Sequence, residues 1–135
     1  MVNCAVFLPI EAEDKLDKLF AYQLDFMDKL GVSRTTGIKI KEEERELADR
    51  CLTQDTLPIA FALLDEVHEF VRELPWKPWK KKNKPADREK VKQELTDCWF
   101  FLLELSIMWG LDAKTLMEEY EKKLKINHER QNGGY

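Results

Sequence analysis

The sequence holds two acidic pairs where carboxylates are costly to keep. Glu66 and Glu69 flank Val67-His68, and Glu94 and Asp97 flank Leu95-Thr96. On a helix, a spacing of three puts both members of a pair on one face, about one turn apart. Each pair borders an apolar run: Ile59-Ala60-Phe61-Ala62-Leu63-Leu64 before the first, Cys98-Trp99-Phe100-Phe101-Leu102-Leu103 after the second. Like charges at the edge of a core repel and resist desolvation, and a divalent cation among them offsets both effects.

Acids number 26 in 135 residues, so one such pair arises easily by chance. Two ordinary amphipathic helices with acids bordering the polar face would give the same pattern. The stronger feature is that both pairs lie on helices joined by one loop. A short connection makes the two helices antiparallel, so the 66–69 turn can face the 94–97 turn. Four oxygen ligands suit Mg²⁺, which takes a few carboxylates and leaves positions for water and phosphate. Such a site can activate water and screen phosphate charge. Zinc would want thiolate or imidazole clusters, which the sequence lacks. His68 lies about 100° around the helix from its neighbour glutamates and reads as packing or surface. No GxxxxGK[ST] or GxGxxG is present, and Ser106 has no nearby His–acid partner, so neither a phosphate loop nor serine nucleophilic catalysis is supported.

The elements that carry these residues follow from periodicity. Apolar Leu16, Leu19, Phe20, Tyr22, Phe26, Met27 and Leu30 predict a first helix over about 11–30, ended by Gly31. Gln23 sits beside that stripe, as a boundary residue or as a side chain placed to hydrogen-bond a ligand. Residues 31–40 read as a loop, and 41–52 as a short, mostly charged amphipathic helix. Asp55 or Thr56 is an N-cap and Pro58 an early helical position for a helix reaching about Leu74. Leu57, Phe61, Leu64, Val67, Val71 and Leu74 form its apolar stripe, with Glu66, Glu69 and Glu73 along one edge. Residues 75–85 carry three prolines, two Trp and five Lys and must be a loop. A solvated basic loop is the plain reading; lying near one end of the acid-bearing helices, it would also suit a phosphate chain and a flat ring. Further helices are expected at about 86–109 and, capped by Asp112, at about 112–130. No strand or repeat is evident. The expected fold is one all-α domain over 1–135, an antiparallel bundle of four longer helices with or without a short fifth.

Composition narrows the function. The net charge of −4 argues against non-specific nucleic-acid binding. The apolar opening 2–10 lacks a basic flank and stops at Glu11, so it does not read as a signal peptide, and the run from Cys98 to Gly110 is too short to span a bilayer. Cys4, Cys51 and Cys98 form no CxxC, and Cys98 reads as a core thiol. A reduced, cytoplasmic setting is expected.

Glu66-x-x-Glu69 and Glu94-x-x-Asp97 resemble the metal motif of the all-α nucleoside triphosphate pyrophosphohydrolases, which include the MazG-like enzymes and the dimeric dUTPases. Tyr120-x-x-Lys123-x-x-x-Asn127-x-x-Arg130-Gln131-x-x-Gly134-Tyr135 resembles the C-terminal signature of the all-α dUTPases and the phage dCTP/dUTP pyrophosphatases. Lys77-Pro78-Trp79 is similar to their Lys-aromatic-Trp segment. The resemblance is firm over 57–135 and looser before. It implies Mg²⁺, with Mn²⁺ able to substitute, on Glu66, Glu69, Glu94 and Asp97. It implies phosphate contacts from Lys123, Arg130 and Tyr135, with Lys77 among the substrate-binding residues. Asn127 would hold the sugar or phosphates, and Gln23 and Trp79 would border the base. The reaction would turn a dNTP into dNMP and pyrophosphate, with Glu66 and Glu69 as catalytic carboxylates and Glu66 orienting the water. The resemblance also implies a homodimer or homotetramer, and a cytoplasm that is a phage host's if the chain is phage-encoded. Two positions depart from the pattern: Phe100 stands where the family often has His, and Phe26 where it often has Asn. Uracil, cytosine or another base therefore stays open. A MazG-like enzyme with a different nucleotide preference is one alternative. A non-catalytic interaction module working through Trp76, Trp79 and the Lys run is another, though it would have no need of four clustered carboxylates.

Overall fold

The computed structural model describes residues 14–31 and 41–134, and among these it contains four helices: α1 (Lys15–Leu30), α2 (Glu42–Arg72), α3 (Arg88–Met108) and α4 (Ala113–Asn132). No strand occurs among the described residues, so the all-α expectation holds. No helix among them is long and apolar enough to cross a membrane.

The helix ends are written in the sequence. Asp14 caps α1 by accepting from Asp17 N at 2.9 Å, and Gly31 closes it in the left-handed region at φ 68°. Residues 11–13, which periodicity assigned to this helix, lie outside the described residues, as does the expected loop over 32–40. Asp87 accepts from Glu89 N and Lys90 N to start α3, and Asp112 accepts from Thr115 N at 2.8 Å to start α4. Gly110, at φ 82°, makes the turn between them.

The break expected before Pro58 is absent. Instead of a short helix and a new cap at Asp55 or Thr56, α2 runs unbroken through Pro58. A proline interior to a helix removes one backbone hydrogen bond and crowds the preceding turn. Here both sides of it are anchored by packing. Leu52 is buried in the core and Ile59 packs against that core. Between them, Thr56 donates its hydroxyl to Leu52 O at 2.7 Å and accepts Trp109 Nε1 at 2.9 Å. Thr56→Val should remove the acceptor for Trp109 and lower stability by about 1 kcal/mol; urea unfolding measures it, and an unchanged midpoint would show the bond contributes nothing.

The Thr56–Trp109 bond at one end and the meeting of Glu66 with Asp97 further along make α2 and α3 antiparallel. α1 packs on α3, and α4 packs on α1. Asp14 to Asp17 share a cleft with Ala113 to Glu121, whereas Phe26 shares one with Phe100, so α1 runs antiparallel to α3. The buried apolar core is small: Phe20 and Met27 from α1, Leu52 from α2, Leu103, Ile107 and Met108 from α3, and Ala113.

Most of the apolar stripes face outward. Leu57, Phe61, Leu64 and Val67 of α2 are 50, 65, 58 and 39% exposed, and Leu95, Trp99 and Leu102 of α3 are 40, 53 and 45% exposed. Counted around α2 from Glu66 and Glu69, its stripe lies on the side away from α3, whereas Leu95, Trp99 and Leu102 flank the α2-facing side of α3.

Candidate active site

Three of the four singled-out carboxylates converge. Glu66, Glu94 and Asp97 each place an oxygen within 4.8 Å of the other two. Glu69 completes the group from the next turn of α2, within hydrogen-bonding reach of Glu94. Glu73, one turn further, adds its charge to Glu94. The acids thus form a ladder along the facing sides of two antiparallel helices.

Their electrostatics are those of like charges held close together. Partial burial raises the pKa of Glu66, and the charges of Asp97, Glu69, Glu94 and Asp65 raise it further. Glu94 is raised by desolvation and then by Glu69, Asp97 and Glu73. No Lys or Arg pairs with Glu66, Glu69, Glu94 or Asp97 among the described residues; the ion pairs present there join neighbours along single helices. Hard oxygen donors in this number, without a protein counter-charge, fit a divalent ion such as Mg²⁺. Cys98 is half-buried beside the cluster; burial and the Glu66 charge push its thiol pKa up, so it stays protonated. His68 is exposed, as expected.

At the end of the ladder the loop between α2 and α3 folds over a cationic pocket of about 430 Å³. Arg72, Lys77, Lys80, Lys84 and Lys90 contribute to its lining. Asn83 Nδ2 donates to Lys77 O at 3.0 Å and ties the loop together. Trp76 is the ring in this pocket; Trp79 stands edge-on to it, 5.5 Å between centroids. Arg72 and Lys90 escaped the sequence reading because they lie on helix ends rather than in the Lys run.

The remaining expected residues are more scattered. Gln23 is buried at 3% exposure in α1, with its Oε1 unpartnered. Glu104, also buried, escaped notice in the sequence; burial raises its pKa. Lys123, Asn127 and Arg130 are exposed on α4, which among the described elements packs on α1 and not on α2 or α3, so one protomer does not bring them to the carboxylates. Tyr135 lies outside the described residues.

A pair of antiparallel helices that face carboxylates across their contact, with a cationic loop at one end, defines an all-α acidic site suited to a metal-bound polyanion. A family model described as dUTPase matches residues 15–111, and the chain belongs to that family. A relative, the dCTP pyrophosphatase of Enterobacteria phage T4, is 32% identical over 71 residues, which cover 44% of this chain and 42% of that protein. The chain thus spans less than half the length of that relative. No solved structure matches significantly.

Proposed function

We propose that the chain is a Mg²⁺-dependent dNTP diphosphatase that converts dUTP, and also dCTP, to the monophosphate and pyrophosphate. The convergence of Glu66, Glu94 and Asp97 within 4.8 Å, without a basic partner, carries this reading. Membership of the dUTPase family and the likeness to a phage dCTP pyrophosphatase support it.

Glu66, Glu69, Glu94 and Asp97 would hold the ion. When bound, Mg²⁺ supplies Lewis-acid screening of phosphate charge and eases deprotonation of water. Glu66 accepts a hydrogen bond from the attacking water and takes its proton. The water oxygen bonds to phosphorus, the α–β phosphoanhydride bond breaks, and pyrophosphate leaves with the electron pair. Lys77, with Arg72 and Lys90 around the same pocket, neutralises the phosphate chain beyond the acid ladder. Lys123, Asn127 and Arg130 serve the same substrate. Because α4 packs on α1 and not on α2 or α3, they would do so in a homodimer or homotetramer, where the outward apolar stripes of α2 and α3 would also be covered.

The test is pyrophosphate release from each common dNTP with and without Mg²⁺. Turnover of dUTP or dCTP that stops on chelation is expected. Turnover of no nucleotide would overturn the reading, and turnover of purines alone would remove its pyrimidine assignment.

A further inference from the structure

The cationic pocket at the loop end of the acid ladder is out of charge balance. Arg72, Lys77, Lys80, Lys84 and Lys90 share its lining with only two acids, Glu73 and Asp87. Asp87 is occupied with the start of α3, where it accepts from Glu89 N at 3.1 Å and Lys90 N at 3.3 Å. Glu73 acts on Glu94 of the acid ladder. Among the described residues no salt bridge holds any of the five cations. The Lys77 ammonium lies 5.6 Å from the Trp76 ring centroid instead. Cations gathered without partners repel one another, and a polyanion among them removes that repulsion.

The loop also holds its shape without a ligand. Trp76 N donates to Leu74 O at 2.9 Å, and Lys77 O accepts from both Lys80 N at 3.1 Å and Asn83 Nδ2 at 3.0 Å. Pro75, Pro78 and Pro85 restrict the backbone between these bonds. A cage set in advance loses less freedom on binding than a loose Lys run does.

Its position decides which anion it meets. Glu73 follows Glu66 by two helical turns on α2, and Lys90 precedes Asp97 by two turns on α3, so the pocket lies about 10 Å along the bundle from the Glu66–Asp97 level. A phosphate chain held at the carboxylates therefore reaches it with its far end, the two phosphates that depart together when the α–β bond breaks. Five cations spread over two helix ends and a loop are more than a single phosphate can contact.

We propose that this pocket is a pyrophosphate site in its own right, binding the leaving group and free pyrophosphate whether or not a metal occupies the carboxylates. The proposal rests on the nucleotide reading given above. It adds a form of regulation: accumulated pyrophosphate fills the pocket, competes with dNTP and slows turnover until another reaction consumes it.

The test is calorimetric titration of the full chain with pyrophosphate, once in Mg²⁺ and once in EDTA. Wild type should bind in both, and should bind inorganic phosphate at least about 10-fold more weakly. Arg72→Ala combined with Lys90→Ala should weaken pyrophosphate by about 10-fold or more in both conditions, in line with the loss of charge-assisted contacts. Lys81→Ala removes a charge from the same loop but not from the pocket lining, and should change the constant by less than about twofold at physiological salt. In steady state, pyrophosphate should inhibit turnover competitively, with an inhibition constant that rises in the double variant by the same factor. Circular dichroism confirms folding, and Arg72→Gln with Lys90→Gln replaces the alanine pair if that pair unfolds. Three results would overturn the proposal and leave the enzyme reading intact: binding that vanishes in EDTA, unchanged affinity in the double variant, or an equal loss in Lys81→Ala. Pyrophosphate binding as expected with no dNTP turnover would overturn the enzyme reading, and the leaving-group role with it.

Discussion

Glu66→Gln should lower kcat/KM for pyrophosphate release by about 100-fold or more, without destabilising the metal-free protein. The loss of activity follows from two roles held by one carboxylate. Glu66 is one of the three oxygens that converge within 4.8 Å, and it is the acceptor assigned to the attacking water. An amide keeps the shape but holds a metal poorly and does not accept a proton, and a metal's contribution to such a barrier is several kcal/mol. The stability side has a definite sign. The folded pKa of Glu66 lies above the ordinary carboxylate value, through desolvation first and then the charges of Asp97, Glu69, Glu94 and Asp65. Between the unfolded and folded pKa values the native state holds more protons, so the protein loses stability as pH rises through that window. At neutral pH the ionised carboxylate therefore works against folding, and the neutral amide does not. The metal-free variant should melt at or above the wild-type temperature at pH 7.5. Added Mg²⁺ should raise the wild-type midpoint more than that of the variant. Glu69→Gln should also abolish activity without unfolding the protein. Activity near wild type in Glu66→Gln would remove that residue from the chemistry, and an unfolded variant would give it a structural role instead.

The acid pairs could be read before folding because their chemistry is local to two helix turns. A spacing of three fixes a face, and one intervening loop fixes antiparallel partners. The caps Asp112 and Gly31 were equally legible, since each uses one side chain or one φ value. Pro58 misled for the opposite reason. Proline's effect on its own turn argues for a break, whereas Leu52, Thr56 and Ile59 hold that turn by contacts made with distant parts of the chain. The same limit hid the cationic pocket, whose Arg72 and Lys90 belong to two helix ends that only the α2–α3 turn brings together. It also hid the sharing of one pocket by Phe26 and Phe100, although both were visible as departures from a family pattern. Periodicity showed that each helix has an apolar stripe; it carried no information about whether that stripe packs inside the protomer or outside it.

That last distinction leads to the second large effect: Phe61→Asp combined with Leu64→Asp should break the proposed homo-oligomer into smaller species. Phe61 and Leu64 lie on the side of α2 that faces away from α3, and they are 65 and 58% exposed in the protomer. Leu57 and Val67 continue the stripe one turn on each side, so about three turns of helix present aliphatic and aromatic carbon to solvent. A contiguous patch of this kind marks an interface in a water-soluble protein. A twofold contact uses the same patch from both copies, so the double substitution alters four side chains at once. Burying a large apolar side chain is worth about 1.5–3 kcal/mol, so covering what these four still expose contributes about 4–7 kcal/mol. Replacing them with carboxylates also sets like charges against each other across the contact. The dissociation constant should rise by at least about 1000-fold. Light scattering at micromolar protein would then show a lower mass, and the melting temperature should fall with it. If α4 serves a neighbouring copy through Lys123, Asn127 and Arg130, the monomeric variant should also lose substrate affinity while its own carboxylate cluster remains in place. An unchanged mass in the double variant would show that the α2 stripe is not the contact.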